Sequence, residues 1–282
     1  MLKRGSKAFS LVELLVVIAI IALLVSILLP ALKNARRVAR LNQSLSNIKN
    51  INIAFETYRT DHKGWVPYMV PQNKVAATWS FAGKNCDPFW IGFAGGIYDF
   101  PGYTRPLNPY LQPDIQFEAT FTAANRKVVE MPVLRSPGDV YTVQRTYPNP
   151  TPNYQISCYD DIGTSYHYNG RWYELLDSTS VGEWSRYSNR LSRGFGRMID
   201  IPEVNTSTFV MFHDQAADLV SNDGARRNWI TEFGDQNKCV MSYLDGHADY
   251  LTLIPGAHEG PGYIFRFPRL QNLRLIPRTG PI

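Results

Sequence analysis

The chain has 282 residues, with 29 basic against 24 acidic, 19% charged and 13% aromatic residues, 19 Pro and 20 Gly. That composition excludes a disordered chain and describes a loop-rich, β-leaning globule. Three of the charges behind the net +5 are Lys3, Arg4 and Lys7; beyond them 26 basic residues face 24 acidic ones, so the charge balance gives no footing for a nucleic-acid partner. Cys86, Cys158 and Cys239 lie far apart with no Cys-x-x-Cys pair. They allow at most one internal disulfide and lack zinc-ligand spacing, so burial as small apolar side chains is expected.

Residues 1–8 form a short basic leader. From Phe9 to Leu29 the chain is apolar for 21 residues with Glu13 as its only charge, which makes about 31 Å of helix, enough to cross a bilayer core. A carboxylate in such a run costs roughly 2.5–3.5 kcal/mol at mid-membrane. Glu13 lies four residues in, near one interface, where the cost is smaller, yet a plain anchor does better without it. A secretory signal peptide fits poorly. Its apolar core runs to roughly 7–15 residues, and Leu28-Leu29-Pro30-Ala31 offers no small-x-small cleavage site. Lys3, Arg4 and Lys7 precede the span, but Lys33, Arg36, Arg37 and Arg40 follow it, so the charge rule for orientation is weakly decisive.

The segment Ala8-Phe9-Ser10-Leu11-Val12-Glu13-Leu14-Leu15 resembles the prepilin N-terminus shared by type IV pilins and type II secretion pseudopilins. The resemblance implies that a prepilin peptidase cuts between Ala8 and Phe9 and that the new amine of Phe9 is methylated. It places Glu13 at the family's glutamate, the fifth residue of the mature chain, which acts in assembly with the methylated amine of a neighbouring subunit. Ala8 stands where the family usually has Gly. The same resemblance implies an inner-membrane protein with one span, its N-terminus cytoplasmic and its head in the periplasm or exterior. The implied partners are the peptidase and other pilin-like subunits, with no cofactor.

Beyond the span, Ala31, Ala35, Val38, Leu41, Leu45, Ile48, Ile51, Phe55 and Tyr58 recur every three or four residues. This predicts one helix from about residue 9 to 60, amphipathic in its second half over residues 31–64. Pro30 removes the bond to the Ser26 carbonyl and predicts a kink, and Gly64 is the natural stop. A helix of that kind needs a domain to cover its second half. The expected fold is α+β and pilin-like, a long N-terminal helix packed on a β-rich antiparallel head, residues 65–282, with large loop insertions. Strands are predicted at Val75–Phe81, Phe89–Tyr98, Ile115–Thr122, Val128–Leu134, Val140–Tyr147, Tyr154–Tyr159, Thr164–Trp172, Thr208–His213, Cys239–Leu244 and Ala248–Leu253. The clearest pair flanks Asp245-Gly246, read as a two-residue type I′ hairpin turn.

A second resemblance covers the head. Asn47-Ile48-Lys49-Asn50-Ile51, Leu107-Asn108-Pro109-Tyr110-Leu111, Leu134-Arg135-Ser136-Pro137-Gly138-Asp139 and Leu244-Asp245-Gly246-His247-Ala248 resemble a large bacterial group of pilin-like proteins with a C-terminal His-x9-Asp-Gly motif. Ser136 replaces that group's Cys, and Asp235 stands where its His would be. For chemistry, His213-Asp214 with Asp218 and Asp223, or Asp245, His247 and Asp249, can be drawn as metal sites, but turn and edge carboxylates usually face water. No metal or catalytic residue is expected. The aromatic segment Phe89–Phe100 with Trp90 suits a core better than a sugar platform. Two functions follow: a structural pilin-like or pseudopilin subunit, or a membrane-anchored envelope protein whose head binds or modifies a ligand such as polysaccharide.

Overall fold

The computed structural model describes residues 11–67, 74, 77–116, 129–146, 151–170, 192–197 and 199–266. The expected cleavage pair Ala8–Phe9 lies outside these residues, as does most of the strand predicted at Ile115–Thr122. The chain divides into two compact units, Met1–Asn42 and Gln43–Ile282.

Helix α1 (Leu11–Asp61) carries Pro30 inside it. Its early turns present an apolar surface: Leu15, Ile18, Ile21, Leu24 and Leu28 are each more than half exposed. The end of α1 is built by backbone geometry. Gly64 N–H donates to Arg59 C=O (2.8 Å) and Lys63 takes the left-handed conformation at φ 57°, a closure that satisfies late carbonyls.

In the second unit, α1 buries Ile48, Ile51, Ala54, Phe55 and Tyr58. The helical face expected from periodicity starts later than predicted, because Ala31, Ala35 and Val38 are exposed. Three polar residues share the buried face. Ser44 Oγ bonds Tyr166 Oη (2.9 Å), Asn47 Nδ2 donates to the Arg135 carbonyl (3.0 Å), and Asn52 Nδ2 donates to the Tyr243 carbonyl (2.6 Å). Such bonds fix the axial register of the helix on its domain, since a shift by one turn leaves each group unpaired. Ile48 is 0% exposed. Ile48→Ala is expected to cost about 2–5 kcal/mol, read as a lower urea midpoint at unchanged slope.

The sheet is antiparallel with strand order β1-β2-β3-β4 (Tyr166–Tyr168, Val210–Asp214, Lys238–Tyr243, Ala248–Thr252), and a separate two-residue pair joins β5 (Glu259–Gly260) to β6 (Tyr263–Ile264). The register shifts between Val210 and Phe212, so Val210 faces Tyr243 while Phe212 faces Ser242. This bulge turns two residues that alternation would put on one face to opposite faces. Phe212 meets Phe55 of α1 edge-on at 5.6 Å. Val210 joins Cys239, Met241 and Tyr243 in a second layer with Ala216, Ala217 and Val220 of helix Gln215–Ser221. The architecture is therefore α+β, a long N-terminal helix packed on an antiparallel sheet.

Several predicted strands are overturned. Phe89–Tyr98 forms a short helix, Phe89–Gly92, and a 3-10 turn, Phe93–Gly96. Val128–Leu134 contains the 3-10 turn Pro132–Leu134, and Val140–Tyr147 a single bridge at Thr142 with the 3-10 turn Gln144–Thr146. Tyr154–Tyr159 runs through turns into helix Cys158–Ile162, and the described part of Val75–Phe81 is turn. Side chains there replace strand partners. The guanidinium of Arg105, 1% exposed, donates to the carbonyls of Trp79 (3.0 Å), Ala82 (2.8 Å), Phe100 (2.9 Å) and Ile162 (2.7 Å). Asn108 accepts from Gly83 N–H and donates to the carbonyls of Gly83 and Gly102. Buried backbone groups must be paired, and at Trp79, Ala82, Gly83, Phe100, Gly102 and Ile162 a cation and an amide do it. Gly83, at φ 143°, has no space for a side chain: an added Cβ would stand 2.1 Å from Arg105 Nη1.

The loop between β3 and β4 is not the two-residue type I′ form. Gly246 N–H donates to Tyr243 C=O (3.0 Å) across Leu244 and Asp245, neither at positive φ, and Gly246 itself has φ 90°. That is a type I turn followed by a left-handed glycine, the longer hairpin with a bulge.

Candidate functional site

Glu13 lies in the first turn of α1. The helix holds an 18-residue window of mean hydropathy 3.2, none of it buried within the protein. An apolar surface of this extent needs lipid or other apolar helices around it. Glu13 is the acidic residue of the first turn, where the unpaired N–H groups of a helix favour negative charge. Pro30 follows at the far end of the apolar run.

Asp245 and Gly246 occupy the β3–β4 loop. Asp245 Oδ1 accepts from the His247 N–H (3.1 Å) and faces the ring Nδ1 of His247, whose imidazole stacks on Tyr243 at 4.2 Å between ring centres. Asp249 Oδ1 caps the N–H of Tyr250 (2.7 Å). The other suggested set is likewise engaged in structure. His213 Nδ1 contacts the Asp214 carbonyl (2.8 Å), and Asp223 holds Arg227 (3.0 Å) and Trp229 Nε1 (2.9 Å). Among the described residues no three His, Cys, Asp or Glu side chains converge as metal ligands.

The interior of the head holds a polar system that the sequence did not mark. Asp139 accepts from Cys158 N–H (2.8 Å), Tyr159 N–H (2.7 Å) and Ser165 Oγ (2.6 Å), yet burial still pushes its carboxyl up to about 6. Asp214 caps helix Gln215–Ser221 through Ala217 N–H (3.1 Å) and accepts from Val240 N–H (2.8 Å); burial lifts it to about 7. Glu232, which accepts from Ser136 Oγ (2.9 Å), is raised well above the carboxylate range by burial and then by Asp214 and Asp139. Ser136 lies 3.3 Å from Ser44 Oγ, so this acidic interior reaches α1. Its sequence signal was weak: Asp139 ends the Leu134–Asp139 match, but nothing local marked Asp214 as buried or Glu232 as half-buried beside it.

Cys158, His167 and Asp218 stand in line. The Sγ of Cys158 lies 3.4 Å from His167 Nε2, and His167 Nδ1 lies 2.7 Å from Asp218 Oδ2. This thiol–imidazole–carboxylate order suits nucleophilic chemistry. Here Cys158 and His167 are 0% exposed, and burial followed by the charges of Asp139 and Asp161 keeps the thiol protonated, well above its ordinary value. The three form a hydrogen-bond chain that is buried at Cys158 and His167 and partly exposed at Asp218. All three cysteines are buried thiols that form no disulfide. Trp90, 2% exposed, packs with Trp79, Cys86, Phe100 and Ile162 and donates its Nε1–H to Asp161 (2.8 Å). It is core, not a platform open to a sugar.

Residues 3–29 match the family described as the prokaryotic N-terminal methylation motif. No curated protein and no solved structure matches the chain. The match covers the whole apolar run from Phe9 to Leu29, with Glu13 inside it. It supports a type IV pilin-like protein generally and a structural subunit rather than an enzyme.

Proposed function

We propose that this chain is a pilin-type subunit of a type II secretion or type IV pilus-like filament, of the group with the His-x9-Asp-Gly-like C-terminal region. One observation carries the reading: residues 3–29, which match the methylation motif, include an apolar helical run that the protein leaves uncovered. In this reading a prepilin peptidase removes residues 1–8 between Ala8 and Phe9 and the amine of Phe9 is methylated. The helix then holds the protein in the inner membrane, N-terminus cytoplasmic and head outside, until other subunits extract it. Pro30 bends the helix between its membrane and head portions.

Glu13 acts in assembly. A carboxylate in hydrocarbon favours any partner that neutralises it, and the methylated amine of a neighbour's Phe9 reaches membrane depth only once the leader is gone. An ion pair shielded from water is far stronger than a surface pair, and losing one partner of such a pair typically costs about 3–5 kcal/mol. Glu13→Ala is therefore expected to insert and be cleaved like wild type but to fail in assembly. Mass spectrometry of the membrane form, with cysteine cross-linking between neighbouring apolar helices at equal abundance, tests both steps. An intact Met1 start in a host with an active prepilin peptidase overturns the reading. Wild-type cross-linking by Glu13→Ala and Glu13→Gln overturns the role of Glu13. The rival, a ligand-binding head on a retained anchor, loses its best platform with the burial of Trp90.

A further inference from the structure

Where α1 ends against the β3–β4 loop lies an open groove of about 380 Å³, lined by Asn52, Ile53, Glu56, Thr57, Thr60, Asp61 and Gly246. Its polar lining is made of acceptors. The hydroxyl hydrogens of Thr57 and Thr60 are taken by the carbonyls of Ile53 (2.8 Å) and Glu56 (2.9 Å), which leaves their oxygens to accept. Glu56 and Asp61 are carboxylates: both Glu56 oxygens receive Arg59 Nη1 at 3.2 Å and Asp61 Oδ2 receives Tyr110 Oη at 3.1 Å, which leaves each carboxylate lone pairs for a further donor. Asn52, 2% exposed, uses its amide N–H on the Tyr243 carbonyl (2.6 Å), while its Oδ1 is buried with no hydrogen-bond partner. A buried acceptor left unpaired costs about 1–3 kcal/mol, so an incoming donor has something to gain. Ile53, 65% exposed, supplies an apolar wall for the stem of a long side chain. No lysine or arginine lines the groove.

The chemistry that fits is a donor-only cation on an aliphatic stem, a guanidinium above all. The chain carries such groups itself. Between Leu14 and Phe55 it has no acidic residue, and Lys33, Arg36, Arg37 and Arg40 form an exposed cationic band on α1. Lys33, Arg36 and Arg40 are spaced to share one helical face. We infer that the acceptor groove at Asn52–Asp61 receives the Lys33–Arg40 band of a second copy of this chain. The contact rests on the subunit reading above and adds to it a charge-matched partner surface outside the apolar segment.

The test uses full-length protein in membranes, with two differently tagged copies, one carrying Ile53→Cys and the other Gln43→Cys, one turn from Arg40. A control pair carries Val17→Cys in both copies. The expected result is a mixed 53–43 disulfide that falls roughly tenfold when Glu56 and Asp61 are both changed to lysine, since like charges face each other. Changing Arg36 and Arg40 to glutamate in the partner restores it. The same loss with Arg36→Glu and Arg40→Glu alone, which leaves the head intact, separates charge from misfolding. If the 17–17 cross-link forms while the 53–43 cross-link is absent or indifferent to charge reversal, the groove assignment is overturned and the subunit reading stands. Absence of both overturns the subunit reading itself.

Discussion

Arg105→Met is expected to unfold the head. The guanidinium satisfies the carbonyls of Trp79, Ala82, Phe100 and Ile162 and lies 3.0 Å from Cys86 Sγ. Methionine approaches its length and removes every donor. Each buried carbonyl left unpaired costs about 1–3 kcal/mol, so the loss at four of them is on the order of the whole stability of an ordinary domain, about 5–15 kcal/mol. Arg105→Lys keeps the charge but offers three donors from a single point in place of a planar fork, and should fall between the two. Loss of a cooperative thermal transition in detergent, with maleimide labelling of the now accessible Cys86, Cys158 and Cys239, is the expected outcome. A melting temperature for Arg105→Met close to wild type would remove Arg105 from its central place in the loop region.

The second large effect is on pH. Asp139, Asp214 and Glu232 all have carboxyls raised by burial, to about 6 and about 7 for the first two. Their unfolded values lie near 3.9 for Asp and 4.3 for Glu. Between those limits the native state holds protons that the unfolded chain has released, so stability falls as pH rises from about 4 through 7. Asp160 and Asp223 are displaced the other way: each is lowered by hydrogen bonds and ion pairs, against burial. Their contribution is present above the unfolded value and is lost as pH falls below it, which sets the acid limit. A tenfold difference in proton affinity between the folded and unfolded chain is worth about 1.4 kcal/mol, and a domain of this size loses about 2–4 °C of melting temperature per kcal/mol. A melting temperature on the order of 10 °C lower at pH 8 than at pH 5 is therefore expected. Asp214→Asn should lower stability overall, since an amide NH2 would then meet the Val240 N–H, but flatten the slope. A wild-type midpoint that rises steadily from pH 5 to pH 8 would show that these carboxyls are not held protonated by the fold.

Elements whose signal is local could be read from the order of residues alone. The long helix was legible because apolar spacing and a terminal glycine depend on near neighbours, and Glu13 stood out because a carboxylate inside an apolar run needs a reason whatever surrounds it. Thr208–His213, Cys239–Leu244 and Ala248–Leu253 were legible for the same cause, as alternating runs bounded by turn residues, and their strands formed within a residue or two of those limits. Tertiary structure decided the rest. Phe89–Tyr98 and Val140–Tyr147 have β-forming side chains, but strands need a partner edge, and backbone bonds here close within turns, Ile91 N–H to Pro88 C=O and Thr146 N–H to Val143 C=O, with one bridge from Thr142 to Asn153. The type of the Asp245–Gly246 turn turned on one φ angle that either hairpin form allows the sequence. Whether Asp139, Asp214 and Glu232 meet water, and whether Asn52 finds a donor, depends on groups distant in the chain, because burial is a property of the folded surface and leaves no mark on the residues beside it.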